Sequence, residues 1–489
     1  MGRYHVRRLS NGLVIGFYQK RSPLFALSFG ARAGFRYESH ALAGISRVCV
    51  DSLFEGSSRY PSAFLLAHAL DASTVGKVHR EVTPEVLRIS AVALQDQWKQ
   101  VFVPLSDLFF DPLFEKIRLK TGALLQGHAL RSPRFEVQED SELLRVTELC
   151  SHQLLGPAAG QSFFQPDLDH ESSNEDPEIL ARFSSEDLRS FHAQFFQRDN
   201  CAVVLAGDAD PEAVFEFAES CLASSLRSMS EASGSYLQGA SRVSEDHPDE
   251  LRPEYLTLSS LRVEDHHPPS GLRTPIFEHL GESSTLSLIA SERPRETLAG
   301  CVSYYGPGTK DLAGNLEFQA IRRILAGGEA ARLPHRLYQT DTVAQALFAD
   351  LNSFADFSWM TLSFRVRGDQ LRLFMTKVID ESKRLSSDPL DRYPHELPRI
   401  FGQWAREEFA ASESVHLAAL RMLESLLVLG SAPPTFEEMN ARIYSLRPEQ
   451  IQARAKEILN PSRAAWVIRG EIPRADRFAV ESLARKAHE

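Results

Sequence analysis

Two stretches of this chain repeat one another in order and spacing, and that repeat restricts the fold more than any other feature. Glu186-Asp187-Leu188 opens an amphipathic stretch that runs to Asn200, then the apolar run Cys201-Ala202-Val203-Val204-Leu205-Ala206 and Gly207. Glu449-Gln450-Ile451 opens another that runs to Asn460, then Ala464-Ala465-Trp466-Val467-Ile468-Arg469 and Gly470. Twenty-one residues separate the leading Glu from the closing Gly in both copies. Helices that start at Leu42-Ala43-Gly44 and Leu312-Ala313-Gly314 take corresponding early positions, each ending near a glycine, Gly56 or Gly327, where a helix C-terminus favours it. The chain therefore reads as two homologous halves. Each mixes period-two strands with longer helical stretches, which predicts an α+β fold of a mainly antiparallel sheet backed by helices.

Residues 226–273 separate the halves and are rich in Ser, Pro, Asp, Glu and His. Such a segment buries little apolar surface and is expected to be a polar linker between an N-terminal half, 1–225, and a C-terminal half, 274–489. Asp265-His266-His267 within it reads as solvated loop rather than metal site. At 489 residues and 43% hydrophobic the chain can bury sizeable cores. The formal net charge of −11 argues against a nucleic-acid surface. Cys49, Cys150, Cys201, Cys221 and Cys301 are scattered and odd in number, so a disulfide framework or thiolate zinc site is not expected. No apolar run reaches the length of a membrane span. Arg3, His5, Arg7 and Arg8 make the first residues basic but are too few for a transit peptide.

The chemistry turns on one early segment, Gly44-Ile45-Ser46-Arg47-Val48-Cys49-Val50-Asp51-Ser52-Leu53-Phe54-Glu55-Gly56-Ser57. Arg8-Leu9-Ser10-Asn11-Gly12-Leu13-Val14-Ile15 and Ala33-Gly34-Phe35-Arg36-Tyr37-Glu38 precede it, and Arg80-Glu81-Val82-Thr83 follows. Ile324-Leu325-Ala326-Gly327-Gly328-Glu329-Ala330-Ala331-Arg332-Leu333 lies in the second half. Together these words resemble the insulinase/pitrilysin-type peptidases, the inverted zincins, over nearly the whole chain. In that family an H-x-x-E-H helix supplies two zinc ligands at i and i+4 and a general base between them. The resemblance places Arg47 at the first ligand, Val50 at the base and Asp51 at the second ligand. A guanidinium has no lone pair for a metal, and valine moves no proton. Arg47 and Asp51, spaced i and i+4, are expected to form an intrahelical ion pair instead.

The resemblance also places Thr121 at the auxiliary glutamate and His128, seventy-seven residues after Asp51, at the distal ligand. Asp51 and His128 are the residual pair that could touch a metal, but two ligands beside an arginine make a poor zinc site. In active members an Arg and a Tyr seven apart hold the substrate; Tyr338 and Gln345 stand at those positions. The resemblance thus implies two halves closing as a clamshell around an acidic or neutral cavity, with no metal, no cofactor and no peptidase activity of its own.

A chain of this family without its chemistry is expected to work through surfaces, in a large apolar interface with a related chain. The resemblance implies two places for it. One is a core subunit of the cytochrome bc1 complex (respiratory complex III), beside a second core-like chain and other subunits, on the matrix side of the mitochondrial inner membrane. Leu9 to Ile15 and Leu429-Gly430-Ser431-Ala432-Pro433-Pro434 favour this one. The other is the non-catalytic, substrate-binding partner of a two-chain zinc processing peptidase, mitochondrial or, in a bacterium, cytoplasmic or periplasmic.

Overall fold

The computed structural model describes residues 2–38, 42, 44–114, 143, 146–147, 183–222, 285–289, 297–340, 343–460 and 464–485. The 226–273 segment, Thr121 and His128 lie outside them. The described residues form two compact units, each built on one sheet.

In the first unit β1 (Arg3–Arg8), β2 (Val14–Gln19), β3 (Leu24–Ala31), β4 (His79–Val82), β5 (Leu87–Leu94) and β6 (Cys201–Gly207) lie in the order β1-β2-β6-β3-β5-β4. The β1–β2 hairpin turns at Asn11-Gly12: the Asn11 side chain accepts from the Leu13 N–H at 3.1 Å, and Gly12 takes φ 92°, a region glycine enters without a Cβ penalty. Helices α1 (Ile45–Ser52), α2 (Ala63–Asp71), α3 (Trp98–Phe110) and α4 (Ser185–Phe195) share a core with Ile15, Phe17, Phe29, Ile89 and Val203. Alternate residues Val14, Tyr18, Ala26 and Val204 point to the opposite face, as the pleat requires.

In the second unit β7 (Thr285–Ile289), β8 (Thr297–Pro307), β9 (Ala344–Ser353), β10 (Phe357–Arg367) and β11 (Ala465–Arg469) lie in the order β7-β11-β8-β10-β9. Helices α5 (Leu312–Ala326), α6 (Leu371–Ser387) and α7 (Glu396–Glu413) belong to this half of the chain, followed by α8 (Val415–Val428) and α9 (Pro448–Ile458). The sequence repeat corresponds to one structural unit in both places. The first copy is α4 followed by β6, which pairs parallel with β2 and antiparallel with β3. The second is α9 followed by β11, which pairs parallel with β7 and antiparallel with β8. The expected α+β architecture of two similar sheet-and-helix halves is the one observed.

The units are not, however, the two continuous segments 1–225 and 274–489. Helix α8 packs on β2, β3 and β6 of the first sheet, where Val415, Ala419, Met422 and Leu426 cover the face that the first unit's own helices leave open. Reciprocally, Leu143 and Val146 pack with Ala299, Cys301, Trp359 and Val467 on the second sheet. Each sheet is apolar on both faces, so burying it takes a helical segment numbered in the other half. Among the described residues Cys49, Cys201 and Cys301 are buried free thiols and Cys221 is a half-buried one; no described helix is long and apolar enough to cross a membrane.

Candidate functional site

Helix α1 is set in place by its own N-terminus. Gly44 caps it at φ 94°, and the Glu38 carboxylate accepts from the Gly44 N–H at 2.7 Å and the Ser46 N–H at 2.9 Å. An acid so placed both satisfies first-turn N–H groups and faces the positive end of the helix dipole. Ile45, Val48, Cys49, Val50 and Leu53 then enter the core. Val50 is fully buried, so the position that the resemblance would place at a general base belongs to packing.

Arg47 and Asp51 meet one turn apart: Arg47 Nε donates to Asp51 Oδ2 at 3.1 Å, the ion pair expected from their spacing. The structure adds a second cation. Arg80 of β4 donates through Nη1 to Asp51 Oδ1 at 3.4 Å, and its guanidinium lies over the Phe54 ring, 4.1 Å from the centroid. The Asp51 side chain is 8% exposed, those of Arg47 and Arg80 34% and 38%. Burial pushes the Asp51 carboxyl above the usual carboxylate range, and the two guanidiniums oppose that push. These residues do not fit a zinc ion: the Asp51 carboxylate is engaged on both oxygens, and two permanent cations flank it. Among the described residues no cluster of three or more His, Cys, Asp and Glu side chains is arranged to hold a metal.

In the second unit Tyr338 and Gln345, the positions that the resemblance would place at a substrate clamp, lie on separate elements. Tyr338 is half-buried on the turn His335–Thr340, and Gln345 is exposed on β9. Burial, then Glu329, pushes the Tyr338 hydroxyl up to about 12. The organised polar group here is Arg332, whose Nε and Nη2 meet both oxygens of Glu396 at 2.9 and 2.7 Å. Glu381 stands 3.7 Å from Arg332 and accepts from Arg336 at 2.9 Å.

Arg80 and Glu38 have no role that the sequence alone assigns. Their partners lie on other elements, so no local spacing in the sequence pairs Arg80 with Asp51 or Glu38 with the start of α1. His192, by contrast, is a core histidine: burial holds it down at about 4, and its Nε2 lies 2.9 Å from the Phe109 carbonyl oxygen.

Residues 182–394 match the family model described as peptidase M16 inactive domain. No curated protein matches the chain. Among solved structures, a protease from Helicobacter pylori aligns with TM-score 0.67 at 11% identity, covering 96% of this chain and 100% of the other. A peptidase M16 inactive domain from Pseudomonas fluorescens aligns with TM-score 0.67 at 15% identity, covering 96% and 98%. At such identities the two structures speak for the fold.

Proposed function

We propose that this chain is a non-catalytic member of the insulinase-type (M16) peptidase family that works through its surfaces, as the substrate-binding partner of a related chain that keeps its zinc. The observation that carries the reading is Asp51 buried between Arg47 and Arg80, with Val50 turned into the core. The scaffold of the family's metal helix is retained while its chemistry is replaced by a closed set of charges. Similarity to a bacterial structure described as an inactive domain of the family points the same way. In this reading the half-buried Tyr338 and the exposed Gln345 are positions released from substrate clamping.

A second reading, a core subunit of respiratory complex III on the matrix side of the mitochondrial inner membrane, draws on the Leu429-Gly430-Ser431-Ala432-Pro433-Pro434 word. It follows α8 directly, with Gly430 at φ 73°. Native purification separates the two. A haem-free assembly with a chelator-sensitive, zinc-bearing chain supports the first reading, and co-migration with b- and c-type haem supports the second. A chain that purifies alone with intrinsic, chelator-sensitive peptidase activity overturns both.

A further inference from the structure

His79 is the first residue of β4, the edge strand of the first sheet, and its register partner on β5 is Ser90. Residues paired directly across two strands point to the same face, and α8 brings a third side chain onto that pair. His416 places Nε2 3.0 Å from Ser90 Oγ, and its ring centre lies 5.2 Å from that of His79, with 30° between the planes. Ser90 is buried, whereas His79 is exposed and its imidazole has no hydrogen-bond or ion-pair partner among the described residues. A serine hydroxyl accepts from an imidazole N–H as readily as it donates. With Nε2–H donating to Ser90, Nδ1 of His416 keeps the lone pair, and an oxygen behind the other ring nitrogen is how metal-bound histidines are held. Two imidazoles on one tetrahedral zinc ion, each about 2 Å from it, have ring centres about 5 Å apart, and this pair already stands at that separation.

We propose that His79 and His416 together bind a divalent cation of the zinc, copper or nickel class, with water completing its coordination, and that the ion fastens α8 to the edge of the first sheet. Imidazole nitrogen selects the class, because magnesium and calcium take oxygen ligands. The neighbouring guanidinium, Arg88, is met by Glu81 at 2.6 Å and Glu424 at 3.4 Å, so two carboxylates temper its repulsion of a bound cation. Two protein ligands make a weaker site than the four of a closed structural centre, which suits reversible occupancy. Arg80, next along the strand, points to the opposite face and reaches Asp51, so this site is separate from the charge group on α1. Nothing in the proposal depends on the subunit reading.

The test uses the full chain, stripped with EDTA, dialysed, and titrated calorimetrically with ZnCl2 or MgCl2. Zinc is expected to bind and magnesium is not. H79Q is expected to weaken the zinc binding by about tenfold or more, since even disturbing the group behind a ligand costs that much. A chain carrying H266A and H267A, which removes the adjacent histidine pair of the 226–273 segment, is expected to keep the wild-type affinity. Hydrogen exchange then reads the second ligand without a substitution that could undock α8. With free zinc at ten times its dissociation constant, exchange of the Val415–Val428 amides is expected to slow about tenfold in the wild-type chain and not in H79Q. No zinc binding, equal affinity in H79Q, loss confined to the H266A/H267A chain, or zinc binding that leaves α8 exchange unchanged overturns the proposal. None of these outcomes bears on which chains co-purify, so the histidine site and the subunit reading fail separately.

Discussion

The imidazole of His416, at the start of α8, lies against that of His79 on β4 with ring centroids 5.2 Å apart. His416 Nε2 is 3.0 Å from Ser90 Oγ on β5. Arg88 of the same strand is joined to Glu81 at 2.6 Å and to Glu424 of α8 at 3.4 Å. Burial, then the neighbouring His79 and Arg88, holds His416 down at about 4, with Glu81 opposing. Below its ordinary value near 6.5 the unfolded chain takes up a proton that the folded chain refuses. Stability is therefore lost as pH falls from about 6.5 towards 4 and is fully present above that window. His192 titrates in the same sense. His416→Gln is expected to remove about 1–2 kcal/mol of the difference between urea midpoints at pH 7 and pH 5, the value discounted for partial exposure. An unchanged pH slope in the variant would mean that α8 docks without regard to this imidazole.

The Arg47–Asp51–Arg80 group should respond unequally to loss of its members. Asp51→Ala leaves two cations that already reach water, and we expect a cost of about 1 kcal/mol. Replacing Arg47 and Arg80 together by Met strands a buried carboxylate, at about 3–5 kcal/mol. With both guanidiniums gone, burial alone raises the Asp51 carboxyl, so this double variant should regain stability as the pH is lowered and the group is protonated. Thermal melts at several pH values distinguish the two, and equal losses at neutral pH would refute the asymmetry.

Helix α8 approaches the first sheet closely because the sheet offers glycines there. A Cβ on Gly16 would stand 2.7 Å from Met422 Cε and 2.9 Å from Leu426 Cδ1, and one on Gly30 2.9 Å from Leu423 Cδ2. Gly16→Ala is expected to destabilise by about 1–3 kcal/mol through overpacking. Met422→Ala in the same chain should return part of it, a coupling that a double-mutant cycle of urea midpoints measures. Additive losses would mean that the methyl is accommodated elsewhere.

Much of this architecture is legible without coordinates because it is local. The helix-to-strand unit repeats within twenty-one residues, so its period and closing glycine survive in each copy and identify β6 and β11 as equivalents. The Arg47–Asp51 pair is legible for the same reason, its partners being one helical turn apart. What escapes is contact between distant segments. Nothing in Val415–Val428 says that its apolar face belongs to the first sheet, since an amphipathic helix records that it is buried but not against what. Arg80 escapes likewise, because its contact with Asp51 depends on β4 running beside α1.

The Arg332 group is another such long-range assembly, and it shows how a buried charge constrains substitution. Arg332 and Glu396 are 9% and 11% exposed and meet through two short bonds, and the guanidinium lies 4.9 Å from the centre of the Tyr393 ring. Both charges are out of water, so neither is tolerable without the other. Arg332→Met should cost about 3–5 kcal/mol, while Arg332→Lys, which keeps the charge but not the fork, should cost less. Pairing Arg332→Met with Glu396→Met removes both charges at once and is expected to recover most of the loss. Glu381 retains Arg336 at 2.9 Å and is not left alone by the change. Calorimetric melting temperatures of the three variants test this order. If the double variant proves as unstable as Arg332→Met alone, Arg332 acts mainly by packing against Tyr393 and its neighbours rather than by neutralising Glu396.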